Sequence, residues 1–203
     1  GLGDVYKRQR TTLLVAIAGG VALVVNWLLL FAAYSYASIS IATAVYNTQP
    51  FMLVTLGALF LGEKLTLRKL FWLVLAFIGM TLVVLAQPKQ AGGQNNYLMG
   101  ILLSLGAAFF YALMALAAKR LKGTPPHLIA LIQVTAGALM LLPMVDFHAR
   151  ANAGQWGMLV TVGVLHTGIM YVLLYGAIQK LPTNLTGSLS FIYPIAAMLV
   201  DLS

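Results

Sequence analysis

Two prolines sit where a helix would normally exclude them. Pro50 and Pro194 each lie inside a long apolar stretch. A proline in a helix interior has no N–H and crowds the carbonyl four residues back, here those of Tyr46 and Ser190. Backbone freed at membrane depth is tolerated only where protein or water satisfies it. In membrane carriers such breaks line the solute path. A plain packing kink is the alternative for either proline alone, and the pair together favours function. Polar side chains gather beside both. Thr43, Asn47 and Pro50 fall on one helix face with Tyr46 and Gln49 flanking, and Thr186, Ser190 and Tyr193 lead into Pro194. Hydroxyls and amides in lipid must face partners or a wet cavity, so these residues are candidates for a solute pathway or for interhelical hydrogen bonds.

His166 is the ionisable side chain placed deepest in an apolar run. A group that titrates near neutrality suits proton coupling or a pH-sensitive gate, and a neutral histidine bonded to a neighbouring helix is the bland alternative. Asn26 lies at matching depth, with Trp27 beside it, and Thr167, Tyr171 and Tyr175 run along the helix at i+4 spacing near His166. Aromatic rings there can stack on a flat or amphipathic solute or simply fill the bundle. Glu63 stands at a helix end beside Lys64 and near Arg68, where it reads as an interfacial ion-pair or gate-closing residue, or else as a solvated loop charge. Asp146, His148 and Arg150 look superficially like a catalytic cluster but lie in one short connection. With no cysteine, thiolate metal sites and cysteine nucleophiles are excluded. No metal site or cofactor is expected. No GxxxxGK[ST] phosphate loop occurs, so a gradient would supply the energy.

The elements that must position these residues are membrane spans. The chain is 61% hydrophobic and 8% charged, far below the ~25% charged residues of a soluble domain. Its net charge of +8 does not point to nucleic acid, because the basic residues form short clusters between apolar runs. Crossing a hydrocarbon core takes roughly 20 apolar residues. Seven stretches qualify, at about 11–35, 39–62, 68–87, 97–120, 125–145, 155–179 and 183–203. Gly123 is expected to stop the fourth. Thr124 can cap the fifth with Pro125 in its first turn, and Pro182 starts the seventh similarly. Gly100, Ser104, Ala108 and Ala112 form a small-residue stripe that permits close helix approach. The first nine residues, GLGDVYKRQ, resemble translated adaptor sequence and are set aside as a non-native tail.

Lys and Arg fix an orientation. With the N-terminal side cytoplasmic, inner loops hold ten of them and outer loops only Lys89 and Arg150. A shift of 144 residues lays Gly19 on Gly163, Leu29 on Leu173, Ala33 on Ala177 and Pro50 on Pro194. The first and second spans thus map onto the sixth and seventh. Helices five apart run oppositely, so this is an inverted-topology repeat of five-helix units.

Residues 41–84, IATAVYNTQPFMLVTLGALFLGEKLTLRKLFWLVLAFIGMTLVV, resemble the end of an EamA-type repeat of the drug/metabolite transporter superfamily, through Pro50, Glu63 in LGEKL, and Gly79. YGAIQKLPTNLTGSLSFIYP repeats the approach to the intrahelical Pro194. Where the family often has a glycine seven residues before Gly79, this chain has Trp72. The resemblance implies an all-α polytopic bundle, seven spans of ten, with residues 10–90 ending one repeat and 91–203 beginning the next, and cytoplasmic termini. It implies a secondary transporter of the cell membrane, a bacterial inner membrane, that exports or exchanges small metabolites such as amino acids or amphipathic compounds. Its partners are then a small-molecule substrate and the bilayer, with proton coupling through His166 in prospect. An intramembrane enzyme would need an acid beside His166, and none is present at depth. A seven-helix receptor would ordinarily place its N-terminal side outside.

Overall fold

The computed structural model describes residues 2–86, 97–146 and 152–192, and among these all regular structure is helical. The order is α1 (Leu2–Ala33), α2 (Ile39–Tyr46), α3 (Gln49–Leu61), α4 (Leu67–Ala86), α5 (Tyr97–Arg120) and α6 (Pro126–Leu141). A short 3₁₀ turn follows at Leu142–Met144. Next come α7 (Ala153–Thr161), a π-helix at Val162–Ile169, α8 (Met170–Lys180) and α9 (Thr183–Ser190). The chain is therefore a polytopic helical membrane protein. Among the described residues, five stretches are both long and apolar enough to cross a bilayer: Gln9–Ala33, Ile39–Leu61, Leu98–Arg120, Pro126–Met144 and Ala153–Lys180. The expected third span coincides with α4, and the first part of the expected seventh is α9. The nine residues set aside as a tail include the start of α1, which begins at Leu2.

Backbone chemistry explains the boundaries. Ser38 caps α2 by accepting the Ile41 N–H at 3.4 Å, a bond that satisfies one of the orphan amides of a first turn. Gly62 ends α3 at φ +67°, a left-handed conformation that glycine adopts without a Cβ penalty. Two expected starts move by one residue. Pro125, extended at ψ 131°, occupies the N-cap of α6 in place of Thr124, because the residue before a proline is driven out of the helical region. Pro182 likewise precedes α9 instead of opening it.

Tight packing is concentrated at small residues. In lipid, helices gain little from apolar burial against one another, so close van der Waals approach decides. A Cβ on Gly20 would stand 2.8 Å from the Gln133 carbonyl oxygen, which brings α1 and α6 nearly backbone to backbone. A Cβ on Gly100 would meet Ala37 at 2.6 Å, and Ser104, Ala108 and Ala112 of the same stripe are fully buried. At the Trp72 position the ring leans edge-on against Phe71, centroids 5.5 Å apart, and no described residue would come within 4 Å of a Cβ on Gly79. Among the described residues close packing does not occur at that point.

Candidate functional site

The interior polar groups converge on Asn26. Its side chain is buried to 1% exposure, about two turns before the end of α1. It donates to the Ala107 carbonyl on α5 at 2.8 Å and to the Tyr46 hydroxyl on α2 at 3.3 Å. An amide in lipid has no water to fall back on, and these two bonds lock three helices together. Aromatic rings extend the cluster. Tyr46 meets Tyr111 of α5 edge-on at 6.2 Å, Trp27 meets Tyr171 at 6.0 Å, and Tyr171 leans on Tyr175 at 5.5 Å. The Tyr175 hydroxyl donates to Oε1 of Gln133, a fully buried residue whose Nε2 has no partner among the described residues. Asn26, Trp27, Tyr46, Tyr171 and Tyr175 thus form one continuous polar-aromatic centre, as their depth in the sequence suggests. Tyr111 and Gln133 belong to it as well, and sequence reasoning misses both. A signal for Gln133 exists, as an amide in the middle of an apolar run.

Beside this centre the second span breaks. α2 ends at Tyr46 and α3 begins at Gln49, with the chain turning through Asn47 and Thr48. α9 ends at Ser190. α2 stops four residues before Pro50, which stands in the first turn of α3, at the carbonyl that its ring disturbs. The polar residues at the breaks mostly satisfy their own backbone. Asn47 donates its side-chain amide to the Thr43 carbonyl at 2.7 Å, and the Ser190 hydroxyl donates to the Gly187 carbonyl at 2.6 Å. Gln49 is the exception: it is buried, and its Oε1 accepts no bond among the described residues. Pro50 is buried against α9, where a Cβ on Gly187 would come within 2.9 Å of its ring. The broken helix and α9 therefore touch at the break itself. Tyr193 and Pro194 lie outside the described residues.

One end of this contact is fastened by charge. Past the left-handed turn at Gly62, the Glu63 carboxylate receives Lys119 Nζ from the end of α5 at 2.7 Å. It also accepts the Thr183 N–H at 3.2 Å and the Thr183 hydroxyl, both at the start of α9. Lys119 donates further to the Leu181 carbonyl at 2.9 Å. Three helix ends are bound in one cluster, and each charge sits at the favourable pole: the anion at the N-terminus of α9, the cation at the C-terminus of α5. Burial pushes the Glu63 carboxyl up, but the Lys119 bond and the two Thr183 donors outweigh it and hold the group below the ordinary 4.5. The expected ion-pair character of Glu63 is present, with Lys119 as partner in place of the adjacent Lys64 or Arg68. Gly57, one turn up α3, faces Thr183 so closely that a Cβ would meet it at 2.9 Å.

His166 is not brought to this centre. It lies on the π-helix with its side chain exposed on the outer face of the sixth span, while Tyr171 and Tyr175 point inward. The sixth span reads in sequence as one continuous α-helix, so the wide turn departs from expectation. Such turns recur at functional positions. Asp146 is exposed, and His148 and Arg150 lie outside the described residues. Among the described residues no group of His, Asp or Glu could hold a metal ion.

Known proteins resemble this chain in sequence and in fold. The EamA-like transporter family matches residues 3–85 and again 98–202. An uncharacterized transporter, YxxF, of Bacillus subtilis (strain 168) is 31% identical over 199 residues, covering 96% of this chain and 63% of that protein. The pseudopaline exporter CntI of Pseudomonas aeruginosa (strain UCBPP-PA14) is 26% identical over 138 residues, 66% of this chain and 47% of that protein. The chain thus spans about half to two thirds of the length of these relatives. A solved crystal structure at 21% identity has the same fold, with a TM-score of 0.79 over 98% of this chain and 72% of its own.

Proposed function

The chain belongs to the EamA-like transporter family, and from that premise we propose that it forms the core of a secondary carrier working by alternating access. Its cargo would be small metabolites, amino acids or amphipathic compounds, exported or exchanged across a bacterial inner membrane with the N-terminal side cytoplasmic. The observation that carries the reading is the charged clamp of Glu63, Lys119 and Thr183, set at one end of the α3–α9 contact and below a polar-aromatic centre. A carrier needs a solute site at depth and a closure on each side that can be undone without unfolding. The clamp supplies a closure of that kind, because ion pairs and hydrogen bonds exchange readily with water at a membrane surface. The broken helix supplies a joint, since Pro50 has no N–H to give the Tyr46 carbonyl and the Phe51 N–H turns to Thr48 in a tighter turn.

In this reading residues 10–90 and 91–203 are parts of two inverted units, supported by the two separate matches at 3–85 and 98–202. Asn26, Trp27, Tyr46 and Tyr171 would contact solute. Thr43, Asn47, Gln49, Ser190 and Tyr193 would lie along its route, and Pro50 and Pro194 would be the joints. His166 would carry the coupled proton where another surface covers its exposed face. The exporter activity named for CntI fits the same direction. Asn26 bonds a carbonyl and a hydroxyl and not a carboxylate, which favours a carrier over an intramembrane enzyme. The test is gradient-driven flux of amino acids and amphipathic solutes in proteoliposomes. Flux slowed by Pro50→Ala, with membrane insertion intact, is the expected result. Chemical turnover of a solute by solubilised protein, without vectorial movement, would refute the carrier.

A further inference from the structure

Next to the clamp, two cations have no acidic partner among the described residues. Arg120 and Lys122 are exposed, and among the described residues neither takes part in an ion pair. They rim a recess of 620 Å³ between the beginning of α1, the end of α5 and the beginning of α6. Its floor is apolar, formed by Leu13, Ala16, Leu128 and Ile132, and the hydroxyl-bearing Thr12 and Thr124 stand at its edge. Among the described residues no acidic side chain lines it.

The rim is held in shape from behind. Gln179 on α8 donates its side-chain amide to the Leu121 carbonyl at 3.2 Å and to the Thr124 carbonyl at 3.1 Å. The Thr124 N–H closes the turn on the Leu121 carbonyl at 2.9 Å, with Gly123 at φ +97° between them. Two electronegative oxygens of this loop are thereby engaged by α8, and Arg120 and Lys122 project from a fixed turn. Pro125 and Pro126 offer no N–H, so an anion here would be held by side chains and not by the helix end.

We propose that this recess binds the headgroup phosphate of an anionic phospholipid, with an acyl chain laid along Leu13 and Leu128. Charge selects a phosphate, and a guanidinium presents a fork that matches its oxygens. The apolar floor selects a lipid over a free ion, which would leave Leu13 and Leu128 uncovered. Basic recesses between helices at the cytoplasmic surface recognise phospholipid headgroups by this chemistry. The choice of the cytoplasmic leaflet rests on the orientation proposed above, and the site itself does not.

Native mass spectrometry of the purified chain tests it, with phosphatidylglycerol or phosphatidylcholine added to the detergent micelles. Retention of phosphatidylglycerol over phosphatidylcholine is expected. At about 1 kcal/mol per basic residue, Arg120→Gln/Lys122→Gln should weaken that retention roughly 30-fold. Arg68→Gln/Lys69→Gln, which removes two basic residues away from the recess, should leave it within about twofold. Thr12→Trp, which fills the recess and keeps every charge, should also lose the lipid, with an unchanged melting temperature reporting intact folding. Three results would overturn the site: equal retention of both lipids, equal loss in the two charge-removed variants, or displacement of phosphatidylglycerol by millimolar inorganic phosphate. Flux is measured separately, so failure of the lipid site leaves the carrier reading intact, and the reverse also holds.

Discussion

Glu63→Gln removes one charge and leaves the side chain's shape unchanged. In the native cluster the carboxylate accepts from Lys119 at 2.7 Å and from both donors of Thr183. Hydrogen bonds to a charged group contribute about 1.5–3 kcal/mol each and neutral ones about 0.5–1.5. The substituted amide keeps one oxygen, which can still accept from Thr183, but its NH2 then faces Lys119 and the Lys119 bond is lost. Lys119 and Glu63 side chains are 13% and 25% exposed, so water screens the pair only in part. A loss of about 2 kcal/mol from the fastened state follows, or roughly a 30-fold shift toward the unfastened one. Because the chain has no cysteine, Val54→Cys places a sole thiol on α3 in the buried contact with Leu73 and Phe191. Its labelling by a water-soluble maleimide should accelerate by about that factor in the Glu63→Gln background. The pH dependence fixes the sign. The depressed carboxyl contributes its full stabilisation above the ordinary value of 4.5 and loses it as pH falls through the lower value in the cluster. The ratio of labelling rates in the Glu63→Gln and parent backgrounds cancels the fall of the thiolate with pH; it should therefore be constant from neutrality down to the ordinary carboxylate range and shrink toward one in stronger acid. Equal labelling rates with and without the substitution would mean that the cluster fastens nothing, and the closure argument would fail with it.

Other perturbations probe the remaining contacts. Gly187→Ala drives a methyl to 2.9 Å from the Pro50 ring and should cost about 1–3 kcal/mol, seen as a lowered melting temperature in detergent. Tyr175→Phe strands the Gln133 amide and should destabilise by about 1–3 kcal/mol. Adding Gln133→Met should restore most of that loss, since both partners of the buried pair are then gone, and a double-mutant cycle on melting temperatures measures it. In reconstituted vesicles, His166→Ala should reduce proton-coupled flux while leaving insertion and melting temperature near those of the parent.

What the sequence disclosed, it disclosed through constraints that act along the chain. Hydrocarbon thickness sets the length of the apolar runs, so the helices were legible. A proline acts on the carbonyl four residues back by covalent geometry alone, so a disturbance at Tyr46 was legible, although the span at 39–62 read as unbroken and α2 in fact ends there. Partners across space were not. Glu63 could be read as an ion-pair residue from its place at a helix end, but Lys119 looked like one more orienting charge, and Thr183 is 120 residues away. The Tyr175–Gln133 bond had the same cause of concealment. The π-helix was hidden for a different reason. In a span facing lipid nearly every side chain is apolar, so the pattern carries no register by which a wider turn shows itself. The same uniformity left the facing of His166 undetermined.

The N-terminal amide of α9 is satisfied by a carboxylate from another span and not by a neighbour in its own sequence. Most helices carry their own terminator and can form as they enter the bilayer. This one stays incomplete until Glu63 has been delivered to it, so docking of α9 is also its last step of folding. The converse holds in the finished molecule: fraying of that first turn releases Glu63, and a proton that neutralises Glu63 loosens the turn.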